Sequence, residues 1–254
     1  VAMALHKTQE TVVEVSRSAA RSRIVLVCEH ASFYIPETLD GLGASSAARH
    51  SHAAWDPGAM AVAEHMSRDL DASLVASNVS RLVYDCNRPP EAPDAMPVRS
   101  EVFEIPGNVG LTDEEKQARI SRYYTPFRQA LMAEIARRTD PVLVTIHSFV
   151  PVYNGERRDV EIGILHDRDS VLADAMLRAA DPSYVVRRNA PYGPQDGVTH
   201  TLKEHAIKHG YLNVMIEVRN DLVADEAGQT AIAKSLTAWV RQALETLGVD
   251  ACLA

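Results

Sequence analysis

The stretch "PVLVTIHS" at residues 141–148 decides how the chain is read: a near-continuous apolar, β-branched run that stops on a histidine. A strand with no polar alternation is one buried on both faces, as in a sheet covered by helices on each side. The same pattern recurs at "RIVLVCEH" (23–30), "SLVASN" (73–78), "RLVYDC" (81–86), "VEIGILHD" (160–167), "SYVVRRN" (183–189) and "YLNVMIEVRN" (211–220). Helical patterns lie between them. "WDPGAMAVAEHMSRDL" places Asp56 before Pro57 as an N-cap and first-turn pair, and Thr112 with Glu115 forms a capping box. A bend is expected at Pro126, and Gly210 and Gly248 stand where left-handed caps are wanted. The alternation predicts an α/β fold: a three-layer α/β/α sandwich with a central mixed, mostly parallel sheet of the hydrolase-like type. We expect an N-terminal arm or short helix over 1–22 and a single domain over 23–254, with the irregular stretches 87–111 and 149–159 shaping a site.

Composition narrows the function classes. The chain has 254 residues, 46% of them hydrophobic, enough for a sizeable core. A net charge of −8 with scattered arginines argues against nucleic-acid binding, yet two or three local arginines suffice to hold an anionic small molecule. Three cysteines without CxxC spacing indicate neither a disulfide framework nor a thiolate zinc site, so a reducing, cytoplasmic setting is expected. No apolar run reaches the roughly 18 residues of a membrane span, and the first 23 residues lack a signal-peptide core.

The polar residues of interest collect at strand exits: Glu29 and His30, then Asp85, Asn87 and Arg88, then His147, then Glu217, Arg219 and Asn220. Parallel strands bring such groups to one rim, where open α/β sheets bind ligands. His30 and His147 with one carboxylate would leave a fourth position open on a zinc ion, as catalytic zinc needs. Spacing leaves Glu29 and Asp56 both eligible as that carboxylate, and Asp56 also has its explanation as a cap. Glu217 ends a buried run and could serve as general base or be half of an ion pair with Arg219. Arg88 and Arg219 could each grip a carboxylate by a bidentate fork. Arg157 and Arg158 are weaker candidates on a polar turn. A Cys28 nucleophile is disfavoured because no oxyanion loop follows it, and His200, His205 and His209 lack the HExxH arrangement, so a solvated face is expected there.

Five motifs, "VCEHAS" (27–32), "WDPGA" (55–59), "SRLVYDCNRP" (80–89), "TIHSF" (145–149) and "IEVRND" (216–221), together resemble the N-formylglutamate amidohydrolase family over about residues 23–247. The resemblance implies a zinc-carboxypeptidase-like fold and one divalent metal, zinc, held by His30, Asp56 and His147. It implies Glu217 as general base, with Arg88 as a catalytic contact to the oxyanion. Asn87, Arg219, Asn220 and Arg158 would bind the substrate. The expected activity is hydrolysis of the amide bond of an N-acyl amino acid, with N-formyl-L-glutamate or a related acidic one as the small-molecule partner. The alternatives are a non-catalytic binder of an acidic metabolite and a zinc-dependent peptide or peptidoglycan amidase. "CEHAS" and "DCNRPP" depart from the family's more usual "PHSG"-like and "DLNR" stretches.

Overall fold

The structure, a computed structural model, describes residues 11–251. In chain order its elements are β1 (Val13–Ser16), β2 (Ile24–Cys28), α1 (Ser46–His50), α2 (Ala59–Asp69), β3 (Ser73–Ser77), β4 (Arg99–Ser100), β5 (Phe103–Glu104), α3 (Asp113–Arg119) and α4 (Thr125–Ala136). There follow β6 (Val142–Phe149), β7 (Val152–Tyr153), β8 (Glu156–Arg157), β9 (Ile162–Leu165), α5 (Val171–Ala179), β10 (Val186–Arg188), α6 (His200–His205), β11 (Asn213–Arg219) and α7 (Glu226–Thr246). Seven strands form one sheet in the order β1-β3-β2-β6-β11-β9-β10. The four central neighbours β3, β2, β6 and β11 are parallel, β1 and β9 run against their inner neighbours, and β10 is parallel to β9. The mixed, mostly parallel sheet has helices on both sides.

The unbroken apolar runs follow from this layering. In β2, Ile24, Leu26 and Cys28 pack with residues of α2, α5 and α7, while Val25 and Val27 point the other way and pack with Phe127 and Leu131 of α4 and Leu202 of α6. Neither face meets water, so no polar alternation survives. Burying one such leucine contributes roughly 1.5–3 kcal/mol, and truncating Leu26 to alanine would cost about 2–5 kcal/mol.

Several expected details are present. Glu115 N–H donates to Thr112 Oγ1 at 3.2 Å and Thr112 N–H to Glu115 Oε2 at 2.8 Å, closing the capping box. Gly210 and Gly248 have φ of 72° and 69°, the left-handed conformation glycine adopts without cost. At Pro126, which lacks an N–H and crowds the preceding turn, the helix passes through a wider π turn at Ile120–Tyr124.

Four expectations are corrected. Residues 81–86 are not a strand: Ser80 Oγ accepts from Leu82 N–H at 3.2 Å and donates to Ala54 O at 2.8 Å, and Val83 N–H turns back to Ser80 O at 2.9 Å. Leu82, Val83 and Tyr84 are therefore buried by a turn rather than a ladder. The start is neither a loose arm nor a helix where it is described, since β1 pairs antiparallel with β3; residues 1–10 lie outside the described part. Asp56 does not cap α2, whose N-cap is Gly58 at φ 83°; a Cβ there would lie 2.6 Å from Val223 O. His205 is not on a solvated face but buried.

Candidate active site

The carboxyl ends of β2, β6 and β11 lie side by side, and Glu217 pairs in register with His147. Strand alternation puts Glu29, His147 and Glu217 on the face of Val27, Leu143 and Met215, so charged groups replace the apolar side chains over the last turn of the core. His30 follows one residue after Glu29, and the loop to α2 returns Asp56 beside it: Asp56 N–H donates to His30 O at 3.0 Å.

Three buried ligand atoms converge. Asp56 Oδ2 lies 3.2 Å from His30 Nδ1 and 2.9 Å from His147 Nδ1, and the two Nδ1 atoms are 3.2 Å apart. The far ring nitrogens face carboxylates, His30 Nε2 at 2.7 Å from Asp85 Oδ1 and His147 Nε2 at 3.2 Å from Glu29 Oε2. A proton on each Nε2 leaves both Nδ1 lone pairs aimed at the same point as Asp56 Oδ2. Three lone pairs so close repel unless a cation or added protons lie between them. Their separations approach the roughly 3.3 Å edge of a tetrahedron with bonds of about 2.0 Å. Buried His30, Asp56 and His147 could therefore hold a metal ion, and the donor set of two imidazoles and one carboxylate suits zinc. Between the two acids eligible on spacing, Asp56 supplies the converging oxygen and Glu29 stands behind His147.

Further residues fix Asp56. Its Oδ2 also accepts from Ser148 N–H at 3.3 Å, and Arg81 approaches its Oδ1 at 3.4 Å while donating to Asp85 Oδ2 at 2.8 Å. Arg81 does not stand out in the sequence, where it only opens the apolar run 81–86 and carries no signal of its own. Asp85 was legible only as one of the polar residues at a strand exit, and its contact with His30 makes it an orienting neighbour.

Electrostatics follow from burial and this pairing. For His30, burial and the Arg81 guanidinium press the pKa down, and Asp85 with Asp56 more than reverse them. For His147 burial again opposes charging, and Glu29 and Asp56 drive the pKa well above the ordinary value. Burial works against ionising Asp56 and Asp85, yet both are held well below the usual carboxylate range, chiefly by His30, with His147 assisting at Asp56 and Arg81 at Asp85. Burial likewise opposes ionising Glu29, and His147 brings its pKa down. Glu217 behaves oppositely. Burial pushes it up to about 7, the His147 charge pulls down, and the nearby Asp56 carboxylate pushes up again. Glu217 Oε2 is buried with no hydrogen-bond partner among the described residues, as expected of a group that meets its partner in a bound water or substrate.

These groups floor a cavity of about 440 Å³ whose lining includes Asn87, Arg88, Asp94, Tyr153, Tyr192 and Glu217. Both irregular stretches contribute walls, through Asn87 to Glu101 and through Phe149 to Tyr153. Asn87 is fixed by a bond from its Nδ2 to Val198 O at 2.6 Å and by Thr201 N–H donating to its Oδ1 at 3.0 Å. Arg88 donates through Nε to Asp94 Oδ2 at 2.6 Å and through Nη1 to the carbonyls of Asn87 and Gly197.

The other expected substrate contacts are not brought to the cavity. Arg219 donates to Asp221 Oδ1 at 2.8 Å and to the carbonyls of Arg158 and Asp159, with Glu161 at 3.5 Å; neither it nor Asn220 lines the cavity. Asn220 instead opens a short 3₁₀ turn. Arg158 sits behind the wall, its guanidinium 5.6, 4.6 and 4.8 Å from the rings of Phe149, Tyr153 and Tyr192, and it donates to Tyr192 Oη at 3.0 Å. Tyr192, missed in the sequence, lines the cavity, and the backbone two residues before it packs onto Gly163, the register partner of Glu217, which has no Cβ. One placed there would stand 2.0 Å from Ala190 O.

Comparison with known proteins agrees with this architecture. The gene product Atu2144 from Agrobacterium tumefaciens is similar in structure, with a TM-score of 0.92 and 55% identity over 94% of this chain and 96% of that one. The N-formylglutamate amidohydrolase from Ralstonia eutropha shares the fold, with a TM-score of 0.66 and 21% identity over 93% of this chain and 99% of that one. No curated protein sequence matches the chain. The profile of the N-formylglutamate amidohydrolase family matches residues 22–224. Spanning most of the sequence and every motif at the cavity floor, that match makes the chain a member of the N-formylglutamate amidohydrolase family.

Proposed function

We propose that the chain is a metal-dependent amidohydrolase that cleaves the amide bond of a small acidic N-acyl amino acid, with N-formyl-L-glutamate the leading substrate. The observation that carries the reading is the meeting of His30 Nδ1, His147 Nδ1 and Asp56 Oδ2 beside an unpartnered Glu217 oxygen on one cavity floor. His30, Asp56 and His147 would hold one divalent ion, zinc by donor chemistry. Bound there, it supplies Lewis acidity that polarises the amide carbonyl and makes water a stronger acid.

The chain's own residues supply the rest. Asp85, hydrogen-bonded to His30 Nε2, and the Glu29 carboxylate, 3.2 Å from His147 Nε2, favour the tautomer that turns each Nδ1 inward. Glu217 removes the proton from the attacking water and delivers it to the departing amine nitrogen. Arg88, immobilised by two carbonyls, presents a planar cation to the substrate's carboxylate or to the oxyanion that develops from the carbonyl. Asn87 adds a polar wall. Among the described residues no helix is long and apolar enough to cross a membrane, and a cytoplasmic, small-molecule role fits the free buried thiols of Cys28 and Cys86.

The test combines metal analysis of the purified protein with a panel of N-formyl and N-acetyl amino acids. We expect about one divalent ion per chain, turnover that stops with chelation, and preference for acidic members of the panel. Full turnover in stringently metal-free protein would overturn the proposal.

A further inference from the structure

Arg88 is the arginine best placed to take a substrate carboxylate, and part of it is already occupied. Its Nε, one of the two donors that a carboxylate grips in a side-on fork, donates to Asp94 Oδ2 at 2.6 Å, and both residues line the cavity that holds Glu217. Nη1 is engaged by the carbonyls of Asn87 at 3.1 Å and Gly197 at 3.2 Å, so the guanidinium plane is fixed whatever Asp94 does. We infer that Asp94 is an internal competitor for Arg88, a carboxylate of the chain that a substrate carboxylate must displace, and so sets the affinity for acidic ligands.

The asymmetry of the pair supports this. The Arg88 side chain is 10% exposed and that of Asp94 is 53% exposed, so Asp94 can leave toward water while Arg88 cannot. The loop need not move. Ala95 O accepts from Asp85 N–H at 2.8 Å, Ala92 N–H and Ala95 N–H make successive turn bonds, and Ala95 and Met96 are buried. With the backbone anchored on both sides, release of Arg88 needs only a χ1 change at Asp94 between staggered wells. An ion pair with one half-exposed member is weak enough to be exchanged for an incoming carboxylate that brings its own favourable contacts. Were Asp94 instead a brace for Arg88, the two carbonyls that already hold Nη1 would be redundant.

The inference rests on the proposed acidic substrate for its purpose, but its test does not use turnover. Isothermal titration of metal-loaded protein with glutarate and with glutaramide, its uncharged analogue, is compared in wild type, Asp94→Asn, Asp94→Ala, Arg88→Lys and the Arg88→Lys/Asp94→Asn pair. We expect Kd for glutarate to fall about three- to tenfold in both Asp94 variants. We also expect no change for glutaramide, and no gain from Asp94→Asn once Arg88 is lysine. Thermal melts check that each variant is folded. Unchanged, weaker or undetectable glutarate binding in the Asp94 variants overturns the inference, as does an equal gain for glutaramide. Failure of metal-loaded wild type to turn over any N-acyl amino acid would overturn the proposed function alone and leave these binding results standing.

Discussion

At the amino end of β2 and β6, the buried guanidinium of Arg138 donates to Ser22 O at 3.0 Å through Nε and to Glu134 Oε2 at 3.1 Å through Nη1. Glu134 faces the buried Arg138 cation and, at 4.0 Å, the exposed Arg137, so its charge is balanced within the chain. At the carboxyl end of the same strands, Glu29, Asp56, Asp85 and Glu217 are buried around one permanent cation, Arg81, and two histidines. There, even with Glu217 protonated, the charges cancel only if the histidines take up protons or a cation is supplied from outside. The contrast separates a buried pair that serves the fold from a buried cluster that waits for something else. The amino-end carboxylate is matched by cations of the chain, whereas the carboxyl-end cluster carries an excess of acceptors and an unpartnered Glu217 oxygen.

Breaking that contrast at its functional pole should give the largest effect. Glu217→Gln keeps shape and burial but removes the base, and we expect kcat to fall about 10²- to 10⁴-fold with metal content and melting temperature retained. Steady-state kinetics alongside metal analysis would show it. The opposite pole should respond in stability alone. Arg138→Met strands Glu134 without its partner, for an expected loss of roughly 3–5 kcal/mol in urea unfolding, with kcat per folded molecule unchanged. A comparable fall in kcat would mean that the two ends are not independent.

Smaller effects sharpen the boundary between ligand and support. Asp85→Asn should preserve the fold and weaken metal affinity about 10- to 100-fold, measured by competition with a chelator, because His30 loses the carboxylate that fixes its tautomer. The mildest test uses pH. In the metal-free chain, Glu217 titrates near 7 against an ordinary 4.5, and His30 and His147 titrate above their ordinary 6.5. Native protein thus holds more protons than unfolded protein above those ordinary values. This stability is fully present below them and is lost as pH rises through the folded values. Melting temperatures of chelator-treated protein should therefore decline from about pH 5 to 8, and metal should flatten the decline.

Much of this was legible in the sequence because burial on two faces leaves so plain a mark. The central strands announce themselves as unbroken apolar runs, and histidines or acids ending such runs stand out. "RLVYDC" carries the same mark without being a strand, since Leu82 and Tyr84 are buried by the turn that Ser80 organises, and burial rather than ladder pairing is what the pattern reports. β1 escaped because four residues with Glu14 among them at a sheet edge leave no periodicity to find. At the site, His30, His147 and Glu217 stand out because they end buried runs, whereas spacing leaves Glu29 and Asp56 both eligible and only the family resemblance chooses Asp56. Arg219 could not be placed, because a long side chain two residues beyond Glu217 goes to whichever acceptors surround it, here Asp221, Glu161 and two carbonyls.

Gly163 gives the cavity an unexpected point of control. The space its missing Cβ leaves is filled by the backbone at Ala190, and two residues on stands the aromatic wall of Tyr192. The wall of the cavity thus rests partly on one hydrogen atom in the middle of a strand, beneath the loop rather than in it. Attempts to reshape the chamber through its surface loops would leave that constraint in place, whereas a single methyl group added at residue 163 would lift the wall from below.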